Sequence, residues 1–284
     1  MFGFLNVYKP QGKTSHDVVA FLRRVTGIKQ IGHTGTLDPF AEGVLPICIG
    51  KATRLIEYLK DDKAYIGTVQ LGKSTTTYDI EGDTAGVNNN VNVTVDEIES
   101  ALQHFRGEIE QLPPVYSAIK VKGKKLYEYA RNGEEVKLEP RGVNIYKLDI
   151  VSYDEKLKQL ELYIECSKGT YIRSIANDLG EKLGTYGHLI KLVRVKAGDF
   201  EVNESVKLEN LQTKEDVEKH LIYPLEYLDY QKYELNDKEN ELVKNGMPIS
   251  ADVKDGLVIL TFKNELAAVA ESGGNTLKCR KVFI

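Results

Sequence analysis

The stretch Gly32-His33-Thr34-Gly35-Thr36-Leu37-Asp38-Pro39-Phe40-Ala41-Glu42-Gly43-Val44-Leu45-Pro46 governs the reading of the whole chain. Its local chemistry supports two interpretations. An Asp followed by Pro is a natural helix N-cap with Pro at the first helical position. Against a long helix, Gly43 and Pro46 follow soon after. Gly32 and Gly35 permit close approach of the backbone to a ligand. A carboxylate in such a loop, with His33 nearby, suits a nucleophile or base. Capping and chemistry are compatible roles for Asp38.

Outward from this loop the pattern is a mixture of strands and helices. Upstream, Phe2 to Pro10 alternates like a strand and ends in the turn Lys9-Pro10-Gln11-Gly12. Thr14-Ser15-His16-Asp17 then offers N-caps for a helix carrying Val18, Val19, Phe21, Leu22 and Val25, which stops near Gly27. Downstream, strands are expected at 45–49, 64–71, 146–153 and 160–166, and helices at 95–104, 125–132 and 172–183. Residues 84–95 read as a polar loop. The irregular order predicts an α+β fold with a mixed sheet and flanking helices rather than a βαβ repeat. After residue 229 the pattern changes to short strands at 256–262, 266–270 and 278–284. Two units are therefore expected: residues 1–229, and a small β module over 230–284.

Gly67-Thr68-Val69-Gln70-Leu71-Gly72-Lys73-Ser74 matches the phosphate-loop pattern GxxxxGK[ST]. That pattern works only as a loop between a strand and a helix. Here Thr-Val-Gln-Leu continues a strand, and the following Thr75-Thr76-Thr77-Tyr78-Asp79 is a poor helix former. The match is coincidental.

With 42% hydrophobic and 28% charged residues among 284, the composition is that of a globular protein. No apolar run approaches the ~20 residues of a membrane span, and the N-terminal stretch does not read as a signal peptide. Cys48, Cys166 and Cys279 are widely spaced, as expected of a reducing cytoplasm. A soluble, cytoplasmic protein is expected, with no membrane partner. His16, His104, His188 and His220 show no metal-ligand spacing, so no metal is expected. The net charge of -4 hides an asymmetry. Residues 1–60 hold eight Lys/Arg against four acids, and residues 113–147 again eight against four, whereas 201–255 hold seven against fourteen. Such a distribution can leave a basic face suited to phosphates on an acidic protein.

Five ordered blocks give a resemblance. Lys9-Pro10-Gln11-Gly12-Lys13-Thr14-Ser15, the stretch 32–46, Lys63-Ala64-Tyr65, Leu112-Pro113-Pro114-Val115-Tyr116-Ser117-Ala118-Ile119-Lys120 and Ser167-Lys168-Gly169-Thr170-Tyr171-Ile172-Arg173-Ser174-Ile175 lie in this order across residues 9–175. Together they resemble the signatures of the TruB-type pseudouridine synthases, in the bacterial stand-alone form. The tail resembles a PUA-type RNA-binding module more weakly. The resemblance implies an isomerase that converts uridine-55 in the T loop of tRNA to pseudouridine, with no cofactor and no guide RNA, working as a monomer on the T arm. It implies Asp38 as the catalytic residue, Arg173 beside it favouring the charged carboxylate, and Tyr65 stacking on the uracil near C5. Tyr171 and Leu192 would line the pocket, and His33 would take the place of the flipped nucleotide. Lys120 with its basic neighbours, Lys9 and Arg194 would contact RNA phosphates or backbone. Two rival readings are a non-catalytic RNA-binding protein on the same scaffold and an NTPase built on Gly72-Lys73-Ser74.

Overall fold

The computed structural model describes residues 1–116, 120–121, 123–126, 129, 136 and 138–284. The expected helix at 125–132 falls largely outside the described residues, as do Ser117, Ala118, Ile119, Lys122, Tyr127 and Arg131 of the central blocks.

The first strand, Gly3–Lys9, forms where its alternation places it. Thr14 then caps the helix Ser15–Thr26. The Asp17 N–H donates to Thr14 Oγ1 at 3.0 Å, and the Thr14 N–H donates to Asp17 Oδ2 at 2.8 Å. This reciprocal box satisfies two donors that the first turn would leave orphaned. Gly27, at φ 72°, ends the helix in the left-handed conformation.

The main sheet runs in the order Val206–Lys207, Gly3–Lys9, Glu42–Ile49, Gly187–Ala197, Lys63–Leu71, Gln159–Cys166, Arg141–Asp154, Gly107–Gln111. Glu42–Ile49 runs parallel to its neighbour Gly187–Ala197, which is antiparallel to Lys63–Leu71. The sheet is therefore mixed, and the chain is an α+β protein as expected. Side-chain alternation distributes the two faces. From Gly3–Lys9 and Glu42–Ile49, Leu5, Val7, Leu45 and Ile47 pack under the first helix with Val18 and Leu22. Their alternates Phe4, Val44 and Cys48 face the C-terminal region. Further along the sheet, Val69, Leu160, Leu162 and Ile164 pack with Ile98 and Leu102 of the helix Val95–Leu102 and with Ile175 and Leu179 of the helix Ile172–Lys182.

Several elements go beyond the sequence reading or differ from it, among them the strand Gly107–Gln111 and the helix Lys214–Lys219. No helix follows Asp38–Pro39: the Ala41 N–H donates to the Asp38 carbonyl at 3.2 Å, closing a single turn before the strand at Glu42. Part of the polar loop, Thr84–Val87, pairs with Lys73–Thr75. Gly187–Ala197 is a long central strand that the reading left unassigned. The tail contains a helix, Asp237–Lys244, beside a five-stranded sheet. Gly67 to Leu71 is strand and Lys73–Thr75 another, so the phosphate-loop match has no helix to open. Among the described residues no helix is long and apolar enough to cross a membrane.

Candidate active site

A cleft of about 700 Å³ opens over the sheet, with Asp38 in its wall. The residue sits on the irregular segment that links the short strand Ile31–His33 to Glu42–Ile49. Irregular backbone buried in a protein must find hydrogen-bond partners other than a ladder. Here buried side chains supply them. Arg194, from the central strand, donates from Nε to the Val44 carbonyl at 2.7 Å and from its two terminal nitrogens to Thr36 and Gly35 carbonyls, each at 3.2 Å. Lys9 Nζ donates to the carbonyls of Lys13 at 2.6 Å, Pro10 at 3.0 Å and Pro39 at 3.3 Å. The Gly12 N–H reaches the same Pro39 carbonyl at 2.8 Å. Gly43 admits no side chain: a Cβ there would lie 2.3 Å from the Arg194 carbonyl oxygen, and its φ is +108°.

Arg173 projects from the start of the helix Ile172–Lys182 and is 5% exposed. Its Nε lies 2.9 Å from Asp38 Oδ2, and its second terminal nitrogen donates to Asp38 Oδ1 at 3.4 Å. The same guanidinium donates to Asp79 Oδ2 at 3.2 Å and to the carbonyls of Thr77 and Tyr116 at 3.2 and 3.1 Å. One buried cation thus serves two carboxylates. Asp79 is held in turn by the Thr77 hydroxyl at 2.5 Å and the Glu81 N–H at 3.0 Å. Burial pushes the Asp38 pKa above the ordinary carboxylate value. Arg173 is the largest opposing influence, Asp79 adds to the rise, and Lys9 and Arg194 lower it. The site is built to keep an anion where desolvation disfavours one.

Tyr65 and Leu192, 8% and 4% exposed, line the cleft, as do Tyr116, Tyr171 and Ile172. Burial raises the Tyr65 pKa while Arg194 opposes the rise, so the phenol is held protonated. Tyr171 is fixed through its backbone: its N–H donates to Gln111 Oε1 at 2.7 Å and its carbonyl accepts from Gln111 Nε2 at 2.9 Å. Lys63 also lines the cleft, its pKa brought down to about 8 by burial and by Arg194.

The structure therefore brings Asp38, Arg173, Tyr65, Tyr171 and Leu192 into one cleft. His33 lies beside it on its short strand, half-buried, with Nδ1 unpartnered and its pKa lowered chiefly by burial. Lys9 and Arg194 are turned inward, 0% and 1% exposed, and their donors go to the chain's own carbonyls rather than to solvent. In this structure they brace the loop, and Arg194 also lines the cleft. Lys120 is described in its backbone only, in the pair Lys120–Val121. The sequence reading missed Asp79 and Gln111. A turn signal at Asp79 was visible, since Asp and Gly three residues apart favour a turn, but nothing local pairs it with Arg173. Among the described residues no group of three or more His, Cys, Asp or Glu is placed to hold a metal.

The chain as a whole is similar to known proteins. Residues 23–172 match the TruB family pseudouridylate synthase N-terminal domain, and residues 173–228 match the tRNA pseudouridylate synthase B C-terminal domain. The chain belongs to the TruB family of pseudouridylate synthases and is an isomerase of that family. It is 44% identical over 286 residues to the tRNA pseudouridine synthase B of Caldanaerobacter subterraneus subsp. tengcongensis, covering 99% of each chain. It is 41% identical over 293 residues to the enzyme of the same name from Clostridium novyi, covering 100% of each. Among solved structures, the Cbf5-Nop10-Gar1 complex contains a chain similar at TM-score 0.74 and 26% identity, over 100% of this chain and 85% of that one.

Proposed function

We propose that this chain converts uridine-55 of the tRNA T loop to pseudouridine, with Asp38 as the catalytic carboxylate and the target uridine flipped into the cleft. The observation that carries this reading is the pairing of Asp38 with the buried Arg173 in the wall of a cleft faced by Tyr65 and Leu192. Support for tRNA as substrate comes from the full-length similarity to proteins named tRNA pseudouridine synthase B.

The reaction is an isomerisation. The bond from ribose C1′ to uracil N1 breaks, a bond from C1′ to C5 forms, C5 loses a proton and N1 gains one. No oxidant, reductant or cofactor is consumed. Each route open to a carboxylate, whether addition to sugar or base or removal of a ribose proton, starts from the anion that Arg173 favours. Tyr65 and Leu192 give the uracil an apolar seat, with the Tyr65 ring as stacking surface. A stacked uridine cannot reach Asp38, so it leaves its stack, and His33 at the cleft's edge takes the vacated space. Residues 1–229 carry the chemistry, and residues 230–284 act as a PUA-like RNA-binding unit. The enzyme works alone, without guide RNA or partner proteins.

The test is to incubate an unmodified tRNA transcript with the purified protein and map pseudouridine along it. Modification at position 55 alone, lost with Asp38→Asn, is the expected result. Modification at another position overturns the site assignment, and an active Asp38→Asn overturns the catalytic one.

A further inference from the structure

We propose that Ser15 is a positioning residue for the reaction: its hydroxyl clamps the Leu37 peptide and so sets the direction in which Asp38 enters the cleft. This rests on Asp38 as the catalytic carboxylate and adds a second determinant of its placement, independent of Arg173.

The geometry is specific. The Leu37 N–H donates to Ser15 Oγ at 2.9 Å, and the Ser15 hydroxyl donates to the Leu37 carbonyl at 3.2 Å. A single hydroxyl thus holds both polar groups of the residue immediately before Asp38. Ser15 opens the first helix and is 3% exposed, so no water competes for these bonds. Its backbone is fixed by the Thr14–Asp17 capping box one residue away. On the other side of Asp38, the Pro39 carbonyl is held by Gly12 and Lys9 of the same segment. The Leu37 carbonyl before Asp38 and the Pro39 carbonyl after it are both tied to residues 9–15, while the carboxylate itself is held from the opposite direction by Arg173.

A hydroxyl is required at position 15 because the clamp needs a donor and an acceptor in one atom. Alanine and valine side chains supply neither. Without the clamp, Leu37 keeps its side chain in the core but its peptide is free to rotate, and rotation there swings the Asp38 Cα–Cβ bond. Misplacement of a reacting group by about 1 Å costs up to roughly a hundredfold in rate.

The experiment compares Ser15→Ala, Ser15→Thr and Ser15→Val by single-turnover pseudouridine formation at saturating enzyme, alongside tRNA affinity and melting temperature. Thr and Val share shape and differ in the hydroxyl, so any packing cost is common to both. The expected result is a rate loss of at least about tenfold in Ala and Val with affinity within about threefold of wild type, and recovery of most of the loss in Thr. In Ser15→Val the acid limb of the pH–rate profile moves to higher pH, because a displaced Asp38 loses part of the opposing pull of Arg173 while its burial remains. Equal rates for folded Thr and Val variants overturn the proposal, as does a loss confined to affinity or melting temperature. If wild type itself forms no pseudouridine, or Asp38→Asn stays active, it is the reading of Asp38 that fails.

Discussion

Replacing Arg173 by lysine keeps one positive charge and removes the fork that carries it. In the wild-type structure the guanidinium spans Asp38 on one side and Asp79 on the other while donating to two carbonyls. A lysine ammonium is a single point on a flexible stem and cannot stand in both places. The Asp79 side chain is 4% exposed and that of Asp38 is 32% exposed. The ammonium therefore follows Asp79, where an unpaired charge is costliest, and Asp38 loses its counter-charge. Leaving a fully buried charge without its partner costs ~3–5 kcal/mol, and an exposed one ~0–1 kcal/mol. Asp38 lies between these limits, so a loss of ~2 kcal/mol in transition-state stabilisation is expected, about thirtyfold in rate. Arg173→Ala should fall further. The assay is single-turnover pseudouridine formation at saturating enzyme, with filter-binding affinity measured on the same transcript. The acid limb of the rate profile should also shift upward, since burial then acts on Asp38 with less opposition. Wild-type turnover with weakened tRNA binding would refute the reasoning and make Arg173 a phosphate contact.

Asp38→Asn should abolish turnover, retain tRNA binding and leave the protein at least as stable at neutral pH. The Asp38 pKa is raised on folding, so its stability cost is absent below the ordinary carboxylate value and complete above the raised one; a melting temperature well below wild type at pH 7 counts against this. Tyr65→Phe should keep tRNA binding and lose much of the turnover, without removing any alkaline limb, because burial holds the phenol protonated; full activity would reduce Tyr65 to a stacking surface. Lys63→Met should flatten the stability–pH curve between about 8 and 10.5. In that window the folded protein gives up the Lys63 proton before the unfolded chain does, so wild-type stability rises with pH. Denaturant unfolding across this range measures the slope, and an unchanged slope refutes the assignment.

The parts of the site legible in the sequence were those carried by contiguous residues. The caps at Thr14 and Gly27 and the strand Gly3–Lys9 follow from short-range rules. The pairing of Arg173 with Asp38 followed from the family resemblance, not from local pattern. Asp79 was invisible because its partner lies 94 residues away and its own surroundings read only as a turn. Gln111 is separated from Tyr171 by 60 residues. The strand Gly187–Ala197 escaped because register shifts after Leu189 and Arg194 break its period-two alternation. Lys9 and Arg194 were read as contacts to RNA phosphates or backbone; that a loop rich in carbonyls would bury both side chains was not legible locally, since Lys and Arg are mostly exposed.

The boundary at residue 229 is only partly a boundary in the core: Leu235, Val243, Val258 and Leu260 form an apolar cluster of the tail's own, but a second cluster crosses it. Ile259, Leu266, Val269 and Phe283 of the tail share one apolar cluster with Phe4, Val44, Cys48 and Leu55. Lys51 and Arg54 donate to the carbonyls of Phe283 and Val282 at 2.6 and 2.8 Å. In folding terms this shared cluster should make the two regions a single cooperative unit. Amide hydrogens of Gly256–Phe262 should exchange with solvent only in the global unfolding event that also releases Gly3–Lys9, rather than in an earlier partial opening. Cutting the chain at 229 would bare the apolar side of Phe4 and Val44, so the shortened protein should aggregate instead of persisting as an enzyme with weakened RNA affinity.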